Sequence, residues 1–317
     1  MMQKLLIAIP CFNEEENIES IYQRIISDIN FKELGLEHEI LFIDDGSKDH
    51  TVDVFKKLSD AHDDVSYISL SRNYGKETAM VVAFDYFHHD ALIIMDADLQ
   101  HPPVLVNDMV KLWRLGYDDV YAKRNKREGE GWFKIKTSQW FYKLLGKISK
   151  TPVTPDAGDF RLLDKKVVVA LRSLRESQRY TKGLYNVVGF KKVAIEFDAA
   201  PRLHGKSKWS FRSLVNLALE GITSYTTAPL RISTFLGFIV SAFAFIYMIY
   251  VFIKTLITGP TQSGFPTIVI LVLFLGGCIL ISNGILGEYL ARVFMESKNR
   301  PLYFIEEKHT HDQKKDN

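Results

Sequence analysis

The sequence predicts an α/β domain followed by a two-helix transmembrane hairpin. Three observations carry this reading. Short apolar runs alternate with helical periodicity from the N-terminus to about residue 200. Polar turn residues rich in Asp, Asn and Gly follow those runs. Two long stretches near the C-terminus carry no charge at all. Strands alternating with helices build a parallel sheet covered on both faces. The averages conceal the division: 317 residues, 47% hydrophobic, 25% charged, formal net charge +2, and a mean hydropathy of −0.03. Two cysteines, Cys11 and Cys278, exclude a disulfide scaffold. The apolar fraction excludes extended disorder, and the balanced charge gives no sign of a nucleic-acid binder.

The elements follow in order. Leu5–Ile9 reads as a buried strand ended by Pro10. Glu14–Ile29 places Ile18, Ile21, Ile25 and Ile29 on one helical face. Glu39–Ile43 is a second strand, stopped by Asp44-Asp45-Gly46-Ser47. Asp49–Leu58 is a helix, Val65–Leu70 a strand, Lys76–Phe87 a helix and Ala91–Met95 a fourth strand. Ligands of such sheets bind beyond the carboxyl ends of the strands. The candidate site is therefore Pro10–Glu14, Asp44–Ser47, Ser71–Gly75 and Asp96–Asp98.

Ile232–Ile253 and Phe265–Gly287 are uncharged and each long enough to cross a bilayer. The alternative is a pair of buried core helices, but soluble helices are rarely apolar all round for this length. Gly259, Pro260 and Gly264 make the link between them a turn. Lys206, Lys208, Arg212 and Arg231 precede the pair, and Arg292, Lys298, Arg300, Lys308, Lys314 and Lys315 follow it. The link offers only Lys254. Positive charge stays inside, so both termini and the large N-terminal domain are expected in the cytoplasm of a multi-pass cell-membrane protein. No signal peptide is expected, because the run Leu5–Pro10 is short and leads into acidic residues. The expected division is a domain at 1–205, a juxtamembrane amphipathic segment at 206–231, a hairpin at 232–290 (spans about 232–254 and 265–288) and a cytosolic tail at 291–317.

Asp96 and Asp98 alternate on an extended segment and point the same way. Two carboxylates suit Mg²⁺ or Mn²⁺, and Gln100 adds a neutral oxygen. Alone, such a pair reads equally well as solvated turn carboxylates. Asp44 and Asp45 suit a base N–H or a ribose hydroxyl, or Asp45 before Gly46 is only a turn residue. Phe133, Trp140, Phe141, Leu144, Leu145 and Ile148 fall at helical spacing among Lys134, Lys136, Lys143, Lys147 and Lys150. That basic amphipathic helix, about 132–150, suits a bilayer surface or ordinary core packing.

Pro10-Cys-Phe-Asn-Glu-Glu15, Asp44-Asp-Gly-Ser47, Asn73-Tyr-Gly-Lys76, Asp96-Ala-Asp-Leu-Gln100 and Gly158-Asp-Phe-Arg161 resemble a family 2 glycosyltransferase of the Rossmann-like GT-A fold. With the hairpin, the whole chain resembles the polyprenyl-phosphate glycosyltransferases. That group includes dolichol-phosphate mannose synthases and bactoprenol glucosyltransferases. The resemblance implies that Pro10, Asn13, Glu14, Asp45, Lys76 and Asp96 bind a nucleotide sugar, with Arg202, Ser207 and Lys208 contacting its phosphates. It implies a metal held by Asp96, Asp98 and Gln100, with Asp159 and Asp98 as catalytic candidates and inversion at the sugar. Lys206, Lys208 and Arg202 also read as a basic flank serving topology, and both readings can hold together. His101 departs from the family's usual acidic residue. Val187-Val188 departs from a Trp-containing pair, which leaves sugar choice open.

The implied acceptor is undecaprenyl phosphate. A phosphate monoester is already about −1.5 to −2 at neutral pH and needs positioning more than deprotonation. Arg124, Arg127, Lys134 and Arg161 are the candidates to hold it. The implied donor is a UDP-sugar, glucose or N-acetylglucosamine, for cell-envelope glycosylation. GDP-mannose is the alternative, and a non-catalytic membrane scaffold a distant one that the intact Asp96, Asp98, Gln100 and Asp159 oppose. A processive polysaccharide synthase is disfavoured, since Gln178-Arg-Tyr180 does not match its Gln-x-x-Arg-Trp motif. A separate flippase and downstream glycosyltransferase are expected partners. Gly237, Gly276 and Gly277 point weakly to a homo-oligomer.

Overall fold

The computed structural model describes residues 2–124, 157–177, 179–197, 228–258 and 264–310. They fall into two compact units: 2–197 with 300–310, and 228–299. The expected amphipathic helix at 132–150 and juxtamembrane residues 206–227 lie outside the described residues.

The first unit is a sheet with strands β1 (Gln3–Cys11), β2 (Leu36–Asp44), β3 (Val65–Leu70), β4 (Ala91–Ile94), β5 (Asp119–Arg124), β6 (Ala157–Asp164), β7 (Lys192–Phe197) and β8 (Ile305–His309). Their spatial order is β7-β5-β6-β4-β1-β2-β3-β8. The four N-terminal strands pair in parallel, as expected. The whole sheet is not parallel, however: β6 runs antiparallel to both β4 and β5, and β8 runs antiparallel to β3. This reversal matters for the site. In the β4–β6 register Ile94 lies opposite Arg161. The start of β6, Gly158-Asp159, is thereby level with the residues that follow β4.

Helices α1 (Ile18–Asp28), α2 (Phe31–Leu34), α3 (Thr51–Ala61), α4 (Lys76–Asp85), α5 (Leu105–Arg114), α6 (Lys165–Ser173) and α7 (Thr181–Val187) connect the strands. Alternation in β1 divides the core. Leu5, Ile7 and Ile9 join one buried cluster with Ile18, Ile21 and Ile25 of α1, while Leu6 and Ala8 join another with Met80 and Phe84 of α4. A strand buried on both faces reads as a continuous apolar run, which is why Leu5–Ile9 shows no polar alternation. Pro10 lies inside β1 rather than ending it. Pairing with β4 stops at Ala8, so the missing proline N–H interrupts no ladder there.

Helix α1 starts four residues later than its periodicity predicts. The residues before it serve a neighbouring loop instead. Glu14 N–H donates to Thr51 Oγ1 (3.0 Å), and Glu15 Oε2 accepts from His50 N–H (2.8 Å).

Within the segment expected as a cytosolic tail, Ile305–His309 form β8 beside β3. Tyr67 donates its hydroxyl proton to Glu307 (2.7 Å), Tyr303 donates to Asp85 (2.9 Å), and Ser71 N–H donates to Phe304 O (3.0 Å).

The second unit holds α8 (Ala228–Thr258) and α9 (Phe265–Ser297). Pro229–Ile257 and Ile270–Ser297 are apolar, with mean hydropathies of 2.4 and 2.3, and none of either stretch is buried within the protein. A helix of 29 residues is about 43 Å long, enough for a bilayer core of about 30 Å. Core helices would bury a face; Phe238 and Leu280 here remain 75% and 73% exposed.

Candidate active site

The site is built from loops at the carboxyl ends of β1, β2, β3 and β4 and the start of β6. Asn13 has a left-handed backbone (φ 55°), its N–H donates to Ser47 Oγ (2.8 Å), and its Oδ1 accepts from Lys48 N–H (2.9 Å). That side chain ties the first loop to the second. Asp44 accepts from Ser47 N–H and from Ser69 Oγ (2.8 Å). It therefore closes its own turn. Asp45 reaches across to the third loop and accepts from Tyr74 N–H (2.7 Å) and Gly75 N–H (2.8 Å). Burial raises its pKa, against those two bonds. Both readings of Asp45 stay physically compatible, because a carboxylate has more lone pairs than these two bonds use. Gly46 permits the approach of the second loop to the third: a Cβ there would stand 2.3 Å from the Arg72 carbonyl carbon.

Beyond β4 the chain turns sharply. Leu99, a bulky residue, sits at φ 57° between Asp98 and Gln100. Such a conformation costs on the order of 1 kcal/mol or more and is concentrated at functional sites. Asp98 Oδ1 accepts from Gln100 N–H (3.1 Å). Glu14 lies close enough that Asp98 and Asp96 contribute to its raised pKa, after burial, which is the larger cause.

Lys76 joins the two halves of the site. Its Nζ lies 2.5 Å from Asp96 Oδ1 and 2.8 Å from Asp159 Oδ2. Burial would lower the Lys76 pKa, but Asp96 and Asp159 outweigh it and hold it well above the ordinary value. Asp159 is nine-tenths buried. Burial would raise its pKa, yet Lys76, Lys182 and Arg161 hold it below the ordinary carboxylate value. Asp159 is thus an anion at neutral pH. Its Oδ1 is buried and has no hydrogen-bond partner among the described residues. Buried polar atoms of this kind call for an explanation in terms of function.

The donor set around Asp96, Asp98 and Gln100 is all oxygen, which fits a hard divalent cation that shares its shell with phosphates. Among the described residues no group of three or more His, Cys, Asp or Glu is gathered into a metal cage. Two carboxylates and an amide oxygen fit a site whose remaining ligands come from a substrate.

Arg161, expected at the acceptor phosphate, lies in a buried ion pair. Its guanidinium is 2% exposed, donates to both oxygens of Asp119 (3.2 and 3.0 Å) and to Gly158 O (2.9 Å), and stacks 3.5 Å from the Tyr185 ring centre. A cation so enclosed is spoken for by Asp119 in this structure, which makes a structural role the one its contacts support. Arg124 ends β5 opposite Phe197. Its side chain, and all of Arg127, Lys134, Arg202, Ser207 and Lys208, lie outside the described residues.

Sequence reasoning missed Lys182, whose Nζ is 3.9 Å from Asp159 Oδ2. It also missed Glu77, which accepts from the N–H (2.8 Å) and hydroxyl of Thr181 and so ties α4 to α7. The Glu77–Thr181 contact spans 104 residues, and Lys182 meets Asp159 across the α6 connection; no local pattern announces either. His101 is buried and stacks on Phe160 (5.0 Å). The departure from an acidic residue thus falls in an aromatic contact behind the site.

Residues 6–171 match the family described as Glycosyl transferase family 2. The chain belongs to glycosyltransferase family 2. It is 41% identical over 305 residues to an uncharacterized glycosyltransferase of Synechocystis, covering 96% of this chain and 95% of that one. It is also 41% identical to the SfII prophage-derived bactoprenol glucosyl transferase of Shigella flexneri, covering 96% and 98%. A prophage bactoprenol glucosyl transferase homolog of Escherichia coli is 41% identical, covering 95% and 98%. The chain is accordingly a glycosyltransferase. Its family 2 domain ends near α6, while α7, β7 and β8 complete the same sheet unit beyond it.

Proposed function

We propose that this glycosyltransferase moves a sugar from a UDP-sugar to undecaprenyl phosphate at the cytosolic face of the membrane, with inversion. Glucose is the first choice of sugar, supported by the names of relatives aligned over nearly the whole chain, and N-acetylglucosamine the second. The observation that carries the reading is the Asp96–Lys76–Asp159 cluster at the strand ends, in a chain that also carries two apolar helices.

The reaction forms a bond from a phosphate oxygen of the acceptor to the anomeric carbon. The bond from that carbon to the donor's diphosphate oxygen breaks, and the electron pair leaves on the nucleoside diphosphate. Asp96, Asp98 and Gln100 would hold Mg²⁺ or Mn²⁺. Such an ion offsets charge that develops on the leaving diphosphate. The acceptor oxygen is already anionic, so no general base is required. Asp159, an anion paired with Lys76, is suited to orient the sugar and that lysine rather than to take a proton.

Topology fits the same reading. The chain leaves the catalytic sheet after β7, runs through two apolar helices and returns to that sheet as β8. An even number of crossings puts both flanks on one side, and the Lys and Arg there favour the cytosol. Asn13, Glu14 and Asp45 on the first loops are the nucleotide candidates, with Pro10 beside them. Arg202, Ser207 and Lys208 remain candidates for the donor phosphates, and Arg124, Arg127 and Lys134 for the acceptor.

The test is direct. The full chain in membranes receives Mg²⁺, undecaprenyl phosphate and a panel of nucleotide sugars, and mass spectrometry identifies the glycolipid. Product from UDP-glucose is expected, with a loss of more than about a hundredfold in Asp96→Asn and Asp98→Asn. Product from GDP-mannose and none from any UDP-sugar would overturn the donor assignment.

A further inference from the structure

We propose that Lys76 is an internal counter-cation that competes with the divalent metal for Asp96. The inference rests on the reading of Asp96 as a metal ligand and adds a role for Lys76 that this reading does not contain. Three observations support it. The Lys76 ammonium contacts Asp96 Oδ1 at 2.5 Å, so that carboxylate oxygen already faces a proton donor. The same ammonium holds Asp159 at 2.8 Å, so the lysine spans from the metal carboxylate to the sugar-facing one. Its position is set rather than incidental. Lys76 opens α4 directly after Gly75, whose N–H is clamped by Asp45, and the next residue, Glu77, is tied to Thr181.

The physical consequence follows from charge. Asp96, Asp98 and Asp159 place three carboxylates at the ends of β4 and β6, and such a group needs a cation near it. Lys76 supplies one built into the chain. A divalent ion then gains Asp96 only against the attraction that Lys76 already exerts. The cost to metal binding falls when an anionic substrate brings its own phosphates to the ion and to the ammonium. An ammonium carries three N–H donors. Two are directed at Asp96 and Asp159, and the side chain is 40% exposed, which leaves it accessible to an anion. Metal affinity is thereby coupled to donor binding.

The experiment measures metal binding without turnover. The full-length protein in nanodiscs, with no nucleotide sugar, is titrated with Mn²⁺, and free Mn²⁺ is read by electron paramagnetic resonance. Lys76→Met is expected to bind Mn²⁺ at least about tenfold more tightly than wild type, a cautious fraction of the repulsion between charges a few ångströms apart. Lys76→Arg keeps the charge and is expected to stay within about threefold of wild type. Lys76→Gln, which keeps a donor without the charge, serves if Lys76→Met does not fold. Lys182→Met is the control for general electrostatics, because Lys182 stands 3.9 Å from Asp159. Equal tightening in the Lys76 and Lys182 variants would overturn the proposal. Unchanged affinity in both neutral Lys76 variants, with binding lost in Asp96→Asn, would overturn it and leave the metal reading standing. Wild-type Mn²⁺ affinity that Asp96→Asn does not alter would overturn both.

Discussion

Replacing Arg161 with methionine separates a structural role from a ligand-binding one. The guanidinium is 2% exposed and faces Asp119, which is 1% exposed. Removing it leaves a carboxylate buried among Tyr185, Tyr121 and the β5–β6 ladder. The Asp119 pKa is raised by burial even with Arg161 present, so the carboxylate already bears the cost of its surroundings. Breaking such a pair from one side costs about 3–5 kcal/mol. Each kcal/mol moves Tm by roughly 2–4 °C in a domain of this size, so a fall of about 10 °C is expected. The assay is thermal unfolding of the full chain in detergent at one fixed scan rate, followed by intrinsic fluorescence. A double variant, Asp119→Leu with Arg161→Met, removes both charges and is expected to recover most of that fall. A single variant with unchanged Tm and a KM for undecaprenyl phosphate raised tenfold would refute the reasoning. It would return Arg161 to the acceptor site.

Three further outcomes are expected. Gly46→Ala places a Cβ against Arg72 and Asn73 at φ 69°, so the second and third loops must separate; a backbone penalty of ~1–2 kcal/mol and a KM for donor raised about tenfold are expected, and an unchanged KM would count against the clamp. Truncation after Asn299 removes β8 and its bonds from Tyr303, Phe304 and Glu307; Tm is expected to fall by at least about 5 °C, and an unaltered melting curve would show that the strand is dispensable. The third concerns pH. Lys76 has a raised folded pKa, so its stabilisation is fully present below about 10.4 and fades as pH rises through the higher folded value. Asp159 has a lowered folded pKa, so its stabilisation is fully present above about 3.9 and fades as pH falls through the folded value. The Tm difference between wild type and Lys76→Met is therefore expected to stay flat from about pH 5 to about pH 9. A difference that vanishes near neutrality would mean that one partner titrates there.

Much of this protein is legible in its sequence because the deciding physics is local. Residues Val65–Leu70 form a strand because a short run rich in Val, Tyr and Ile lies between turn residues. The two uncharged stretches form helices because no other regular structure satisfies an isolated segment's backbone in an apolar setting. Asp96 and Asp98 could be picked out because β4 ends just before them. The motifs sufficed for the family because each is short and sits at its own strand end. Local pattern failed where pairing runs across the chain. The antiparallel entry of β6, which sets Asp159 beside Lys76, leaves no trace in periodicity, since a strand buried on both faces reads alike in either direction. The same limit hid the Arg161–Asp119 pair, because Asp119 meets Arg161 through the β5–β6 ladder. Residues 305–309 read as part of a tail because Ile305-Glu-Glu-Lys-His309 carries a single apolar residue, too few to show a strand pattern. Sequence alone determined which residue types the site contains and which segments are apolar. Tertiary structure alone decided which charges neutralise one another, because that depends on distances between residues far apart in the chain.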